Sequence, residues 1–87
     1  MNFEEELRAR LAPLAAQRIE LIDDSALHAG HEGAKGGGGH YRLLIVAAAF
    51  AGKSTVARHR LVYDALGDLM RGRIHALSIK SLTPDEV

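Results

Sequence analysis

The stretch that decides the fold is His40-Tyr41-Arg42-Leu43-Leu44-Ile45-Val46. It combines aromatic and β-branched side chains with an apolar second half, which is typical of a β-strand. An earlier strand is predicted over Arg18–Asp23, where alternation points Ile19 and Leu21 inward. The residues between the two strands are rich in glycine and turn-forming side chains, so the two strands are predicted to form an antiparallel hairpin.

Helical patterns lie on both sides of the hairpin. The first helix is predicted from apolar residues that recur at helical spacing, at Phe3, Leu7, Leu11 and Leu14. Asn2 is placed to cap this helix, which is expected to end near Pro13. A longer helical region is predicted after the hairpin, from a cap at Ser54 to about Arg71, with a break within it.

The C-terminal part adds a third strand. Ile74–Lys80 alternates like a strand, and Thr83 is placed to cap the first turn of a helix that the last residue cuts short. A strand–helix–strand connection makes the second and third strands parallel if they are neighbours. The expected fold is therefore α+β, in the order αββααβ, with a three-stranded mixed sheet and its helices packed on one face.

The length of the chain sets the number of domains. Its 87 residues suffice for one core and are too few for two, so a single domain over 1–87 is expected. Within it, the glycine-rich loop at about 25–39 contains the run Gly36–Gly39. Ordering four consecutive glycines costs much conformational entropy, so we predict that this loop is mobile without a partner.

Composition is that of an ordinary soluble protein, with 47% hydrophobic and 25% charged residues. The longest apolar run, Leu43–Ala51, is far shorter than the roughly 20 residues that cross a bilayer, so no membrane association is expected. The first residues are acidic, unlike a secretory leader. We therefore expect a cytoplasmic location.

Cysteine is absent, and the charges are unevenly distributed. Without cysteine, this chain alone has no disulfide, no thiolate ligand and no thiol nucleophile. Formal net charge is zero, yet no Asp or Glu occurs from Gly33 to Tyr63, a stretch that carries five basic residues. A locally basic surface attracts an acidic protein or a phosphate backbone, whereas the neutral total argues against nucleic acid as the first choice.

Two catalytic motifs are only partly present. Gly52-Lys53-Ser54 resembles the end of a phosphate-binding loop, but Ala47 stands where the full pattern needs glycine. Ser25 beside two aspartates lacks the sharp turn that exposes a hydrolase serine. Ser54 is better explained as a helix cap, and no catalytic residue is predicted.

Histidine is the residue type that points to a site. His28, His31 and His40 bracket the glycine-rich loop, where side chains are usually exposed and free to coordinate. For His28 or His31 taken alone, a solvated loop histidine is the commoner explanation.

The other two histidines lie in regular structure. Alternation places His75 on the same face as Leu77 and Ile79, where a partly buried histidine bonded to backbone is the commoner outcome. His59 belongs to Arg58-His59-Arg60 near the start of the long helix, which is typical of a solvated polar face.

Taken together, five segments resemble the BolA family. They are Asp24-Ser25-Ala26-Leu27-His28-Ala29-Gly30-His31, Gly39-His40-Tyr41-Arg42, Phe50-Ala51-Gly52-Lys53-Ser54, Arg58-His59-Arg60-Leu61-Val62-Tyr63 and Ile74-His75-Ala76-Leu77-Ser78-Ile79. Each segment alone is weak evidence for this family, but five segments in the family's order are specific to it. The resemblance implies a fold like the type II KH domain and a non-enzymatic regulatory or adaptor protein.

The resemblance also implies a partner and a cofactor. The partner is a monothiol glutaredoxin with a Cys-Gly-Phe-Ser motif, in a heterodimer that holds a [2Fe–2S] cluster and acts in cluster trafficking or iron sensing. Glutaredoxin and glutathione give the thiolates, while His75 and His28 match the family's metal ligands, with His31 as the loop alternative. The isolated chain is then expected to carry no cluster and to be a monomer or a weak homodimer.

A DNA-binding transcriptional regulator is the alternative that the same resemblance leaves open. Lys53, Arg58, His59 and Arg60 would form the partner-binding or nucleic-acid-binding surface. The Gly-x-x-Gly clamp of RNA-binding KH domains is absent between the helical segments. Replacing Arg58 and Arg60 by glutamate is expected to weaken binding and to leave the fold intact, because exposed helix charges contribute little to stability.

Overall fold

Three strands form one mixed sheet in the computed structural model of the protein, which describes residues 2–24 and 39–87. The strands are β1, Arg18–Asp23; β2, Gly39–Val46; and β3, Ile74–Leu82. β2 lies in the centre, antiparallel to β1 and parallel to β3. The predicted pairings and the α+β mixed sheet are confirmed, while the likeness to a KH domain stays a prediction.

The described helices are α1, Phe3–Leu11; α2, Thr55–Leu66; and α3, Leu69–Gly72. Both predicted caps are formed: Asn2 Oδ1 accepts a hydrogen bond from the Glu5 N–H at 2.8 Å, and Ser54 Oγ accepts one from Ala57 at 3.2 Å. Short 3₁₀ turns follow α1, β2 and β3, at Ala12–Leu14, Ala48–Phe50 and Pro84–Glu86. Thus Thr83 caps a single 3₁₀ turn in place of the predicted start of a helix.

The break in the long helical region falls at Gly67. Its φ of 54° lies in the left-handed region, which glycine adopts with little strain. Arg10 of α1 secures the break, because its Nη1 donates to the Leu66 carbonyl at 3.0 Å and to Asp68 Oδ1 at 2.7 Å. Arg10 therefore links the first helix to the residues on both sides of the break.

The core lies between the helices and one face of the sheet. Leu43 and Ile45 of β2 are buried there, together with helical and turn residues Leu7, Leu11, Phe50, Val62 and Leu66. On the opposite face Arg42 and Ile22 are exposed. The prediction that the helices pack on one face of the sheet is confirmed. Among the described residues, no helix is long and apolar enough to cross a membrane.

The predicted mobile loop lies almost entirely outside the described residues, as do His28 and His31. Its predicted last residue, Gly39, is instead the first residue of β2. A methyl group at this position would collide with the Tyr41 ring, which stacks on Phe3 of α1 with ring centroids 4.7 Å apart. The packing of Tyr41 at the start of β2 thus requires glycine at position 39.

Phe50→Ala tests the core directly. Phe50 is fully buried, so its truncation is expected to lower the free energy of unfolding by about 3–5 kcal/mol through lost burial and a cavity. Val56 is 62% exposed, and Val56→Ala should change stability by no more than about 0.5 kcal/mol. Urea unfolding followed by circular dichroism measures both, and equal effects would contradict the assigned core.

Candidate functional site

A one-residue bulge shapes the beginning of β3. Gly39 pairs with Ile74 and the next residue, His40, pairs with Ala76, so His75 is an extra residue in β3. Ile74 is buried in the core and Leu77 packs against that core, whereas His75 is exposed. Simple alternation predicted His75 on the face of Leu77 and Ile79, partly buried. That prediction is wrong, because the bulge shifts the alternation and gives the core position to Ile74.

The bulge brings two histidines together. The imidazole rings of His75 and His40 lie with centroids 4.9 Å apart and planes tilted by 41°. His40 is half-buried, and its carbonyl accepts a hydrogen bond from the Asp24 N–H at 2.7 Å. The neighbouring Gly39 N–H donates to the Arg73 carbonyl at 3.1 Å. These backbone bonds therefore place both residues at the same end of the sheet.

Sequence reasoning missed this pairing of His40 with His75. The sequence places His40 with His28 and His31 around the glycine-rich loop and gives no sign that it lies beside His75. The parallel register could have placed the two residues near each other, but no local pattern marks the extra residue in β3. The site's shape depends on that extra residue.

A shallow cleft beside His40 is lined by Asp24, Arg42, Ala76 and Ser78, among others. Arg42 holds the Asp24 carboxylate at both oxygens, at 2.6 and 3.3 Å. Within 2–24 and 39–87, no three His, Asp or Glu side chains are grouped so that they could hold a metal ion. The described part of the site thus offers two imidazoles.

The undescribed segment is joined to the sheet at this same end. It follows Asp24 and precedes Gly39, and both of these residues flank His40. His28 and His31 belong to this segment and lie outside the described residues.

The basic start of α2 is not one uniform surface. Arg58 is only 13% exposed, and its guanidinium binds both carboxylate oxygens of Glu86, at 2.7 and 3.3 Å. It also donates to the carbonyls of Lys53 and Ser81, each at 3.0 Å. The premise that Arg58 is an exposed helix charge is wrong, because it ties α2 to the end of β3.

The remaining residues of that surface differ from Arg58. Lys53 and Arg60 are exposed, and His59 is half-buried. Val56 and Tyr63, which are 62% and 40% exposed, follow helical spacing with Arg60. We call Lys53, Val56, Arg60 and Tyr63 the α2 face: an exposed apolar pair with two cations.

Most of the chain matches one protein family. Residues 8–86 match the family described as BolA-like protein. The chain belongs to the BolA family. It is 45% identical over 92 residues to SufE-like protein 1, chloroplastic/mitochondrial, of Arabidopsis thaliana. It is also 48% identical over 79 residues to UV-induced protein uvi31 of Schizosaccharomyces pombe.

A solved BolA structure has the same fold. The BolA domain of SufE1 from Arabidopsis thaliana superposes with a TM-score of 0.81 at 42% identity, covering 100% of this chain and 99% of that one. The sequence alignments cover 100% of this chain and 24% of SufE-like protein 1, and 85% of this chain and 78% of uvi31. The chain thus spans about a quarter of the first relative's length. The family resemblance is confirmed, and the cytoplasmic location stays a prediction.

The Arg58–Glu86 pair makes stability depend on pH. Hydrogen bonds from Arg58 and from the Thr83 N–H lower the pKa of Glu86 from 4.5 to about 2. A lowered carboxyl pKa stabilises the folded state fully above pH 4.5, and this contribution is lost as the pH falls toward 2. Glu86→Gln should therefore lower the urea midpoint above pH 4.5, and its difference from wild type should vanish toward pH 2.

The control for this prediction is the neighbouring acid. Asp85→Asn removes a charge one residue away and keeps the pair with Arg58. Its urea midpoint should follow that of the wild type across the same pH range. A Glu86→Gln profile parallel to the wild type at every pH would show that the pair does not stabilise the fold.

Proposed function

We propose that this BolA-family chain binds a monothiol glutaredoxin and co-ligates a [2Fe–2S] cluster through His75 and the loop histidine His28, with His31 as the alternative. The observation that carries the proposal is the exposed imidazole of His75, turned out of the core by the bulge in a chain without cysteine. The proposed role is that of a regulatory adaptor in cluster trafficking or iron sensing, with no catalytic step of its own.

The donor atoms suit the cluster. A [2Fe–2S] centre takes thiolate or imidazole ligands, and two histidines with two thiolates form the ligand set of Rieske-type centres. This chain provides imidazoles only, so the thiolates would come from glutaredoxin and glutathione. His75 is exposed at the end of the sheet, where a partner's ligands could approach it. The cluster would then be bound only by the complex of the two proteins, because each supplies part of the ligands.

The α2 face is the proposed docking surface for the partner. Val56 and Tyr63 offer exposed apolar area, and Lys53 and Arg60 add positive charge beside it. This combination favours a partner surface with apolar and acidic side chains. Arg58 supports the same helix from inside the fold.

DNA binding stays a second proposal. The exposed cations Lys53 and Arg60 at the start of α2 favour it, because they could contact phosphates. Two points weigh against it: the net charge is zero, and Glu86 already neutralises Arg58. A steep loss of duplex affinity with added salt would support this alternative.

His75→Ala tests the cluster ligand. Co-purified with glutaredoxin and glutathione, the variant should lose the visible circular dichroism of the histidine-ligated cluster, because an imidazole ligand is gone. His28→Ala should have a smaller effect, since His31 lies three residues away. Lys80→Ala, an exposed residue of the same strand, serves as the control and should keep the wild-type spectrum. A wild-type spectrum for His75→Ala would refute the ligand assignment.

Arg60→Glu tests the docking surface without disturbing the fold. Reversing this exposed charge should weaken glutaredoxin binding about tenfold in calorimetry, as expected for a charge that faces an acidic partner. Arg71→Glu, an exposed arginine on α3, should bind as the wild type does. Arg58→Glu is unsuitable, because it would break the ion pair with Glu86 and lower stability. Unchanged binding by Arg60→Glu would remove the α2 face from the proposal.

A further inference from the structure

We propose that His40 and His75 together bind one divalent transition-metal ion, such as Zn²⁺, in the isolated chain. This site goes beyond the proposed cluster function, because it requires neither thiolate nor partner protein. It also assigns a role to His40, which the proposed cluster ligation leaves unused. The inference rests on the geometry of two imidazoles that the bulge in β3 brings side by side.

The separation of the two rings matches a shared metal ion. A zinc–nitrogen bond of about 2.0–2.1 Å places the ion about 3.2 Å from the imidazole centroid. Two imidazoles on one ion then have centroids about 5.2 Å apart at the tetrahedral angle and about 4.5 Å apart at a right angle. The observed separation of 4.9 Å lies between these values. The spacing of the two rings is therefore compatible with one shared ion.

The strands hold both ligands in place before the ion arrives. His40 is paired with Ala76 in the β2–β3 ladder, and His75 is the bulged residue immediately before Ala76. Backbone hydrogen bonds from Asp24 and from Gly39 anchor the start of β2. Little backbone entropy is then lost on binding, which is the advantage of ligands carried by strands.

The chemistry of the ligands selects the ion. Imidazole nitrogen suits Zn²⁺, Ni²⁺ and Cu²⁺, whereas Mg²⁺ and Ca²⁺ require several oxygen ligands. The carboxylate of the adjacent cleft, Asp24, is held at both oxygens by Arg42. Water would complete the coordination of the ion. A site of this composition should bind Zn²⁺ and ignore Mg²⁺.

Calorimetric titration of the isolated 87-residue chain with zinc chloride tests the site. The wild type should bind one Zn²⁺ per chain and show no heat of binding with Mg²⁺. His40→Gln and His75→Gln should each weaken Zn²⁺ binding at least about tenfold, since ligand loss costs no less than loss of a supporting contact. His59→Gln removes an imidazole from α2 and should keep the wild-type affinity. Amide NMR spectra verify that each variant is folded.

Two outcomes would overturn the proposal. One is wild-type zinc affinity in folded His40→Gln. The other is wild-type zinc affinity in folded His75→Gln, which would remove the second imidazole from the site. Glutaredoxin and cluster are absent from this titration, so its failure leaves the cluster proposal standing. Conversely, an unchanged cluster spectrum in His75→Ala would not affect the zinc result.

Discussion

The parallel pairing of β2 with β3, interrupted by one bulged residue, is the constraint on which the rest of the structure depends. It places Leu43 and Ile45 of the central strand under the helices and closes the core. Because of the bulge, Ile74 is buried in the core and His75 is exposed beside His40. Without the extra residue, regular alternation would bring the imidazole to the face that is packed with apolar side chains.

A chain with imidazoles and no thiolates is suited to supplying part of a metal site. Histidine is a borderline ligand that is neutral near physiological pH, so it binds a cluster or a zinc ion without adding charge. His75 belongs to both proposed sites, in one with a partner's sulfur atoms and in the other with His40. The two uses of His75 are mutually exclusive at any one moment, so zinc and the cluster would compete for the same ring. The proposed adaptor function would then depend on whether zinc or the cluster occupies His75.

The arginines at the start of α2 show that the exposure of a charged side chain cannot be inferred from the sequence pattern alone. Arg58 and Arg60 are two residues apart and look equivalent, yet a helix directs them to different sides. Arg58 reaches Glu86 and two backbone carbonyls, and Arg60 remains exposed. The distinction depends on where β3 ends and where the last turn places Glu86. Both are long-range features, and helical periodicity carries no information about them.

The sequence by itself determined the order of helices and strands, the antiparallel hairpin, the caps at Asn2 and Ser54, and the family. These depend on local propensity, periodicity and chain connectivity, which are encoded in neighbouring residues. The sequence predicted a parallel pairing of β2 and β3 only if they are neighbours, and the tertiary structure decided that they are. Only the tertiary structure decided that His75 is exposed, that His40 lies beside it and that Arg58 is bound internally. Each of these depends on contacts between residues far apart in the chain, and the bulge that produces the first two leaves no local pattern. Secondary structure could thus be predicted from spacing, whereas the site required the packed sheet.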